Sequence, residues 1–171
     1  MYICRATEVD VVIIHTIGCQ SYRANFGDIW SNEGIEQHLR QGFSQRHIAT
    51  SLADSEKNHW LLAGVDQSSN PVGFATLIEN SKIPNSNQVG LELQKLYFLS
   101  AASGRGFGRG LMNHILTYAQ QQGYTTIWLD VLKSNHGGIR FYQAHGFEQK
   151  GELPFKTDQQ NVGQWVMVKT L

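Results

Sequence analysis

The chain has 171 residues, of which 14 are Lys or Arg and 14 are Asp or Glu, and this length predicts one domain spanning residues 1–171. The balanced charge argues against a general surface for nucleic acids or anionic membranes, since both need an excess of basic residues. Hydrophobic residues make up 41% of the sequence, so we expect a packed core rather than a disordered chain.

Hydrophobic spacing predicts helices in the first third of the chain and strands alternating with helices after it. The predicted helices cover residues 8–23, 31–41, 44–54, 106–122 and 137–145. The predicted strands cover residues 3–6, 60–65, 72–79, 89–99, 125–132, 147–152 and 165–169. This order predicts a mixed α/β (α+β) fold, in which helices flank a mostly antiparallel central sheet of six to seven strands.

The first residues predict neither a leader nor a membrane anchor, because the apolar run around residues 11–14 is far too short to cross a bilayer. Cys4 and Cys19 match no metal or disulfide spacing, so we expect two reduced thiols in the core of a cytoplasmic protein. The seven histidines show no HExxH or other ligand spacing. We therefore predict no metal site.

The most informative segment is the glycine loop, residues 103–110, which has the sequence SGRGFGRG between a predicted strand and a predicted helix. Closely spaced glycines allow successive N–H groups to turn toward one anion. The helix that follows adds its unpaired N–H groups and its positive dipole end, and Arg105 and Arg109 add charge. We predict a phosphate or pyrophosphate site here, with a turn that binds nothing as the alternative.

Two common phosphate-binding patterns are absent from the glycine loop. The GxxxxGK[ST] pattern fails, because Arg109 stands five residues after Gly104 and no Lys-Ser or Lys-Thr follows. The GxGxxG pattern fails as well, because the third residue after each GxG pair is Arg109, Leu111 or Asn113. A nicotinamide-dependent oxidoreductase is therefore disfavoured.

Residues 91–147 closely resemble the GNAT superfamily of N-acetyltransferases. The resemblance rests on segments that stand in the family's order and at its spacing: residues 92–98 (ELQKLYF), 104–108 (GRGFG), 128–131 (WLDV), Asn135 and 141–147 (FYQAHGF). Ser103 takes the position where the family usually has Gln or Arg. A shifted alignment through Arg105, Gly108 and Gly110 also fits the loop pattern, but it misplaces the following Leu111-Met112.

The resemblance implies that acetyl-CoA is the cosubstrate. The pyrophosphate would bind the glycine-loop residues Gly104, Arg105, Gly106, Phe107, Gly108 and Arg109. The backbone of Leu96, Tyr97 and Phe98 would bind the pantetheine arm and the acetyl carbonyl. Asn135 would bind the carrier's amide groups, although it also suits the cap of the helix predicted near Gly137.

Three residues are predicted to be catalytic. By resemblance, Tyr142 is the general acid that protonates the departing thiolate, and a core aromatic with a satisfied hydroxyl is its alternative. A primary amine with a pKa of about 10.4 must lose a proton before it attacks, so we expect a base. Glu92 and Asp130 are both candidates, and each is also explained as an ordinary carboxylate at a strand end.

Weaker similarity to the bacterial spermidine, spermine and diamine acetyltransferases extends over residues 25–28, 35–43, 92–97, 127–129 and 166–171. It predicts acetylation of a polyamine or another small amine by direct attack. Acetylation of a protein N-terminus or lysine stays open, as does a non-catalytic domain that senses acetyl-CoA. Edge strands near the C-terminus leave room for a homodimer.

Overall fold

The computed structural model describes residues 1–171 and contains every predicted element, with ends that differ by a few residues. Its strands are β1 (Tyr2–Arg5), β2 (Asn58–Gly64), β3 (Gly73–Lys82), β4 (Val89–Phe98), β5 (Thr126–Leu132), β6 (Glu148–Leu153) and β7 (Gln164–Thr170). Its helices are α1 (Val11–Phe26), α2 (Asn32–Phe43), α3 (Gln45–Ala53), α4 (Phe107–Gln121) and α5 (His136–Ala144). None of these helices combines the length and the apolar character that a bilayer span requires.

All seven strands form one sheet in the order β1-β2-β3-β4-β5-β7-β6. Only the central pair, β4 and β5, is parallel, because α4 carries the chain back across the sheet between them. The predicted mixed fold with a mostly antiparallel sheet is confirmed.

Each face of the sheet carries its own apolar core. On one face, Leu111, Met112, Ile115 and Ala119 of α4 recur at helical spacing and pack against the central strands; we call this the α4 core. On the other face, helices α1–α3 cover Trp60, Leu62 and Phe74, which form the α1–α3 core. The predicted burial of both thiols is half right: Cys19 is buried in the α1–α3 core, whereas Cys4 is exposed on strand β1 at the edge of the sheet.

The centre of the sheet opens where β4 and β5 separate. Their pairing consists of Leu91 with Ile127 and Glu92 with Trp128, although both strands continue beyond these residues. We call the opening between residues 93–98 of β4 and residues 129–132 of β5 the strand fork. A strand edge without a neighbour presents unpaired N–H and C=O groups, so the fork exposes such groups in the middle of the sheet.

A β-bulge changes the direction of the side chains along the β4 side of the fork. Lys95 pairs with Thr76, but Leu93 pairs with Leu77, so β4 carries one extra residue at Gln94. Leu91 and Leu93 belong to the α4 core, and after the bulge Leu96 and Phe98 contact that same core. Lys95 is thereby turned toward the opposite face.

Candidate active site

Three adjoining cavities follow the strand fork from the glycine loop to β5. The outer cavity is lined by the glycine loop, the end of β4 and α5, and the middle cavity by residues of α1, β4 and α5. The inner cavity is lined by Tyr22, Phe26, His38, residues 93–97 and 130–132, Asn135, Tyr142, Phe155 and Gln164. Phe98 and Gly108 line both the outer and the middle cavity, and Leu96 and Tyr142 line both the middle and the inner one. The cavities therefore form one continuous path.

The glycine loop presents free main-chain donors to the outer cavity. Gly104 and Gly106 have φ angles of +72° and +82°, a conformation that glycine adopts at little cost. The first α4 hydrogen bond joins the Gly110 N–H to the Gly106 carbonyl, so the N–H groups of the first helical turn have no partner in the helix. None of the backbone bonds outside the regular elements has its donor among residues 104–109.

The charged side chains of the loop differ in position. Arg109 lines the outer cavity. The guanidinium of Arg105 lies over the ring of Phe107, 5.3 Å from its centroid. The loop therefore fits a diphosphate through its free N–H groups, the positive end of α4 and one adjacent cation.

Asn135 lies in the connection between β5 and α5, directly before the first residue of α5, and it borders the middle and inner cavities. Its Oδ1 accepts a hydrogen bond of 2.8 Å from the Gly138 N–H and so caps α5. The cap occupies the side-chain oxygen and leaves the Nδ2 donors for another group. The two roles predicted for Asn135 are therefore compatible.

Tyr142 of α5 lies where the middle and inner cavities meet. Its ring packs edge-on against Phe141 and Phe147, with centroids 5.4 and 5.9 Å apart. Burial, and next the charge of Asp130, raise the pKa of its hydroxyl above the usual value. Tyr142 is therefore protonated at neutral pH and carries a proton at the point where the two cavities meet.

Asp130 borders the same inner cavity from the β5 side of the fork. One of its carboxylate oxygens accepts a hydrogen bond from the Gln164 amide. Desolvation raises the pKa of Asp130 to about 6, the charge of Glu92 adds to the shift, and Lys95 opposes it. A carboxylate with this pKa is mostly ionised at neutral pH and can still take up a proton.

Glu92 stands at the closed end of the fork, opposite Trp128. Its carboxylate accepts a 2.6 Å hydrogen bond from the Ser81 hydroxyl, and it does not border the inner cavity. Of the two residues predicted as candidate bases, Asp130 lines the cavity that Tyr142 also lines. Glu92 lies at the closed end of the fork and does not line that cavity.

Several residues around the inner cavity were not singled out from the sequence. Tyr22, Phe26, His38 and Phe155 form an aromatic wall, and the Tyr22 and His38 ring centroids are 4.5 Å apart. Phe155 comes from the β6–β7 connection, which Asp158 links to Ser31 at the start of α2. Tyr22 and Phe26 are four residues apart on α1, but His38 and Phe155 are distant from them in sequence, so no local spacing indicates that the four rings lie together. For Lys95 the sequence does contain a signal, because strict alternation along β4 would place this charge on the same face as Leu91 and Leu93.

Comparisons with known proteins identify the family of the chain. Residues 19–147 match the model of the acetyltransferase (GNAT) family. An N-acetyltransferase of Mycobacterium bovis is 33% identical over 100 residues, a match that covers 58% of this chain and 60% of that protein. Spermidine N(1)-acetyltransferase of Thermoplasma acidophilum is 25% identical over 140 residues, covering 81% of this chain and 83% of that protein.

The fold is also shared with a solved structure. The PaiA N-acetyltransferase of Thermoplasma acidophilum, crystallised with coenzyme A, superposes with a TM-score of 0.81 over 99% of this chain and 98% of its own, at 22% identity.

Proposed function

The chain belongs to the acetyltransferase (GNAT) family, whose members use acetyl-CoA as acetyl donor, and we propose that it transfers this acetyl group to a small primary amine. The observation that carries the proposal is the strand fork, since it joins the donor-rich glycine loop to the cavity that holds Asp130 and Tyr142. When bound, acetyl-CoA supplies a thioester that an amine can attack.

The part of the site that would bind acetyl-CoA, the acetyl donor, is proposed to act through main-chain groups. The N–H groups of residues Gly104, Arg105, Gly106, Phe107, Gly108 and Arg109 would bind the diphosphate, with Arg109 as an added charge. The backbone of Leu96, Tyr97 and Phe98 would hydrogen-bond the pantetheine arm and the acetyl carbonyl. Fixed N–H donors of this kind stabilise the negative charge that develops on a carbonyl oxygen. The Nδ2 of Asn135 would donate to a pantetheine carbonyl.

Residues of the inner cavity, where the acceptor amine would bind, would perform the proton transfers. A primary amine with a pKa of about 10.4 is charged at pH 7, and its neutralisation costs roughly 4–5 kcal/mol. Asp130 is the proposed base, because it borders the inner cavity whereas Glu92 does not. Tyr142 is the proposed acid, and it would give its proton to the sulfur as the carbon–sulfur bond breaks.

Polyamines are the first acceptor class to test. Their support is the spermidine N(1)-acetyltransferase of Thermoplasma acidophilum, which aligns with 81% of the chain, together with the sequence similarity described above. A protein N-terminus or lysine is the second class. A cytoplasmic location and a homodimer stay predictions.

The proposal is tested by measuring coenzyme A release from acetyl-CoA with polyamines, monoamines, amino acids and peptides as acceptors. Release with a small amine, lost on substitution of Tyr142, is the expected result. Tight acetyl-CoA binding without release across the panel would contradict the proposal and favour a domain that senses acetyl-CoA.

A further inference from the structure

The inner cavity contains a cation that the proposed chemistry does not use. Lys95 lies on the cavity wall because the bulge at Gln94 turns it away from the α4 core. Without the extra residue, the alternation of β4 would place Lys95 beside Leu91 and Leu93 in that apolar core. The bulge therefore adds a cationic residue to the wall of this cavity.

The ammonium of Lys95 has no carboxylate partner. The ion pairs of the chain join other residues, and the Lys95 Nζ donates to the neutral Gln94 Oε1 at 2.8 Å. The rings of Phe43 and Trp60 lie 6.0 Å from Nζ, at the limit of a cation–π contact. Burial lowers the pKa of Lys95 to about 8, with Glu92 and Asp130 acting in the opposite direction, so it is mainly charged at neutral pH.

The formally charged residues on the wall of the inner cavity are one carboxylate and one lysine, whereas a polyamine carries several positive charges. Lys95 and Asp130 carry the formal charges among the lining residues, and His38 has a pKa that burial and Lys95 lower. One carboxylate can receive the reacting amine, and no second carboxylate lines the cavity for another ammonium. A partly buried cation that no carboxylate contacts directly is costly, and an anionic ligand group at hydrogen-bond distance would offset that cost.

We infer that Lys95 forms an anion-binding subsite in the inner cavity and that the preferred acceptor carries a carboxylate or similar anion as well as its amine. This inference rests on the proposed acetyl transfer and narrows its acceptor class. With the amine at Asp130, the acceptor's anion would bind the Lys95 ammonium. A polyamine would have to keep its other ammonium groups toward the cavity mouth.

A series of acceptors matched in length tests this subsite. The compounds are 4-aminobutyrate, butylamine and 1,4-diaminobutane, which present an anion, an apolar end and a cation. We expect kcat/KM to decrease in that order. In Lys95→Met, the ratio for 4-aminobutyrate over butylamine should fall roughly tenfold to a hundredfold, since hydrogen bonds to charged groups have that worth. Lys95→Arg should keep the preference for 4-aminobutyrate over butylamine. Lys57→Met, at an exposed lysine, is the matched control and should leave this ratio unchanged.

A second readout separates this inference from the proposed reaction. Binding of butyrate, measured by calorimetry, should be stronger for the native protein than for Lys95→Met even if no amine is acetylated. That result without turnover would contradict the proposed function and support the subsite. Equal butyrate binding by the two proteins, or equal loss of kcat/KM for all three acceptors in Lys95→Met, would overturn the subsite.

Discussion

Glu92 and Trp128 form the last residue pair between β4 and β5. From this pair onward the two strands diverge, so a path opens through the centre of the sheet instead of at its edge. The glycine loop follows β4 on one side, and Asp130 follows Trp128 on the other. In the proposed reaction, this divergence lets the acetyl carrier and the amine reach each other from the two ends of one path.

Gly108 has no side chain, so we expect the diphosphate of acetyl-CoA to approach the first turn of α4 closely at this residue. Its added Cβ would meet the Phe141 ring at an ordinary contact distance of 3.5 Å, and alanine favours helices, so Gly108→Ala should stabilise the fold by up to about 1 kcal/mol. The methyl group would nevertheless obstruct the diphosphate and lower acetyl-CoA affinity by roughly tenfold or more. Thermal unfolding and calorimetry measure both effects. Gly42→Ala, a helical position with open space, is the control that should keep full affinity.

Asn135 is predicted to combine a structural role with a binding role. Asn135→Ala should lose about 1 kcal/mol of unfolding free energy with the α5 cap. Asn135→Asp keeps a capping oxygen but loses the Nδ2 donors, so its stability should stay near the native value while acetyl-CoA affinity falls. If Asn135→Asp binds acetyl-CoA with the native affinity, Asn135 acts only as the cap of α5.

Tyr142→Phe removes the proposed proton donor and leaves the aromatic packing in place. We expect kcat to fall roughly a hundredfold or more, with little change in the dissociation constant of acetyl-CoA. Tyr2→Phe, at a tyrosine far from the fork, serves as the control in the same steady-state assay. A variant with unchanged kcat would remove Tyr142 from the mechanism.

Asp130 should control the acidic side of the pH profile. With a pKa of about 6, its base form is lost as the pH falls through that value, so kcat/KM should decrease there. The ratio of native to Asp130→Asn activity cancels the titration of the amine and should rise through pH 6 to a plateau. If Glu92→Gln abolishes this step and Asp130→Asn keeps it, Glu92 is the base.

The same pKa fixes the sign of the effect on stability. The native pKa of Asp130 lies above its unfolded value of about 3.9, so the native state holds the proton more tightly between pH 4 and 6. This contribution to stability is lost as the pH rises through that window. Asp130→Asn should consequently unfold no earlier than the native protein at pH 7, which separates a loss of activity from a loss of folding.

The sequence predicted local features better than distant contacts. Helical and strand spacing predicted all twelve main elements, and the glycine pattern predicted the free donors before α4, because both depend on neighbouring residues. The bulge at Gln94 was missed, although the apolar positions shift from Leu91 and Leu93 before it to Leu96 and Phe98 after it, a shift that strict alternation does not produce. The proximity of His38 and Phe155 was not predicted, because it depends on two connections whose positions are set only by the complete fold.

We propose that main-chain amides of β4 and the glycine loop hold the acetyl carrier. A crystal structure of the protein with acetyl-CoA tests it most directly. We expect the diphosphate to lie against the N–H groups of residues 104–109 and the pantetheine arm along residues 96–98, with the thioester beside Tyr142. A carrier bound elsewhere, or absent from crystals grown at saturating acetyl-CoA, would contradict it.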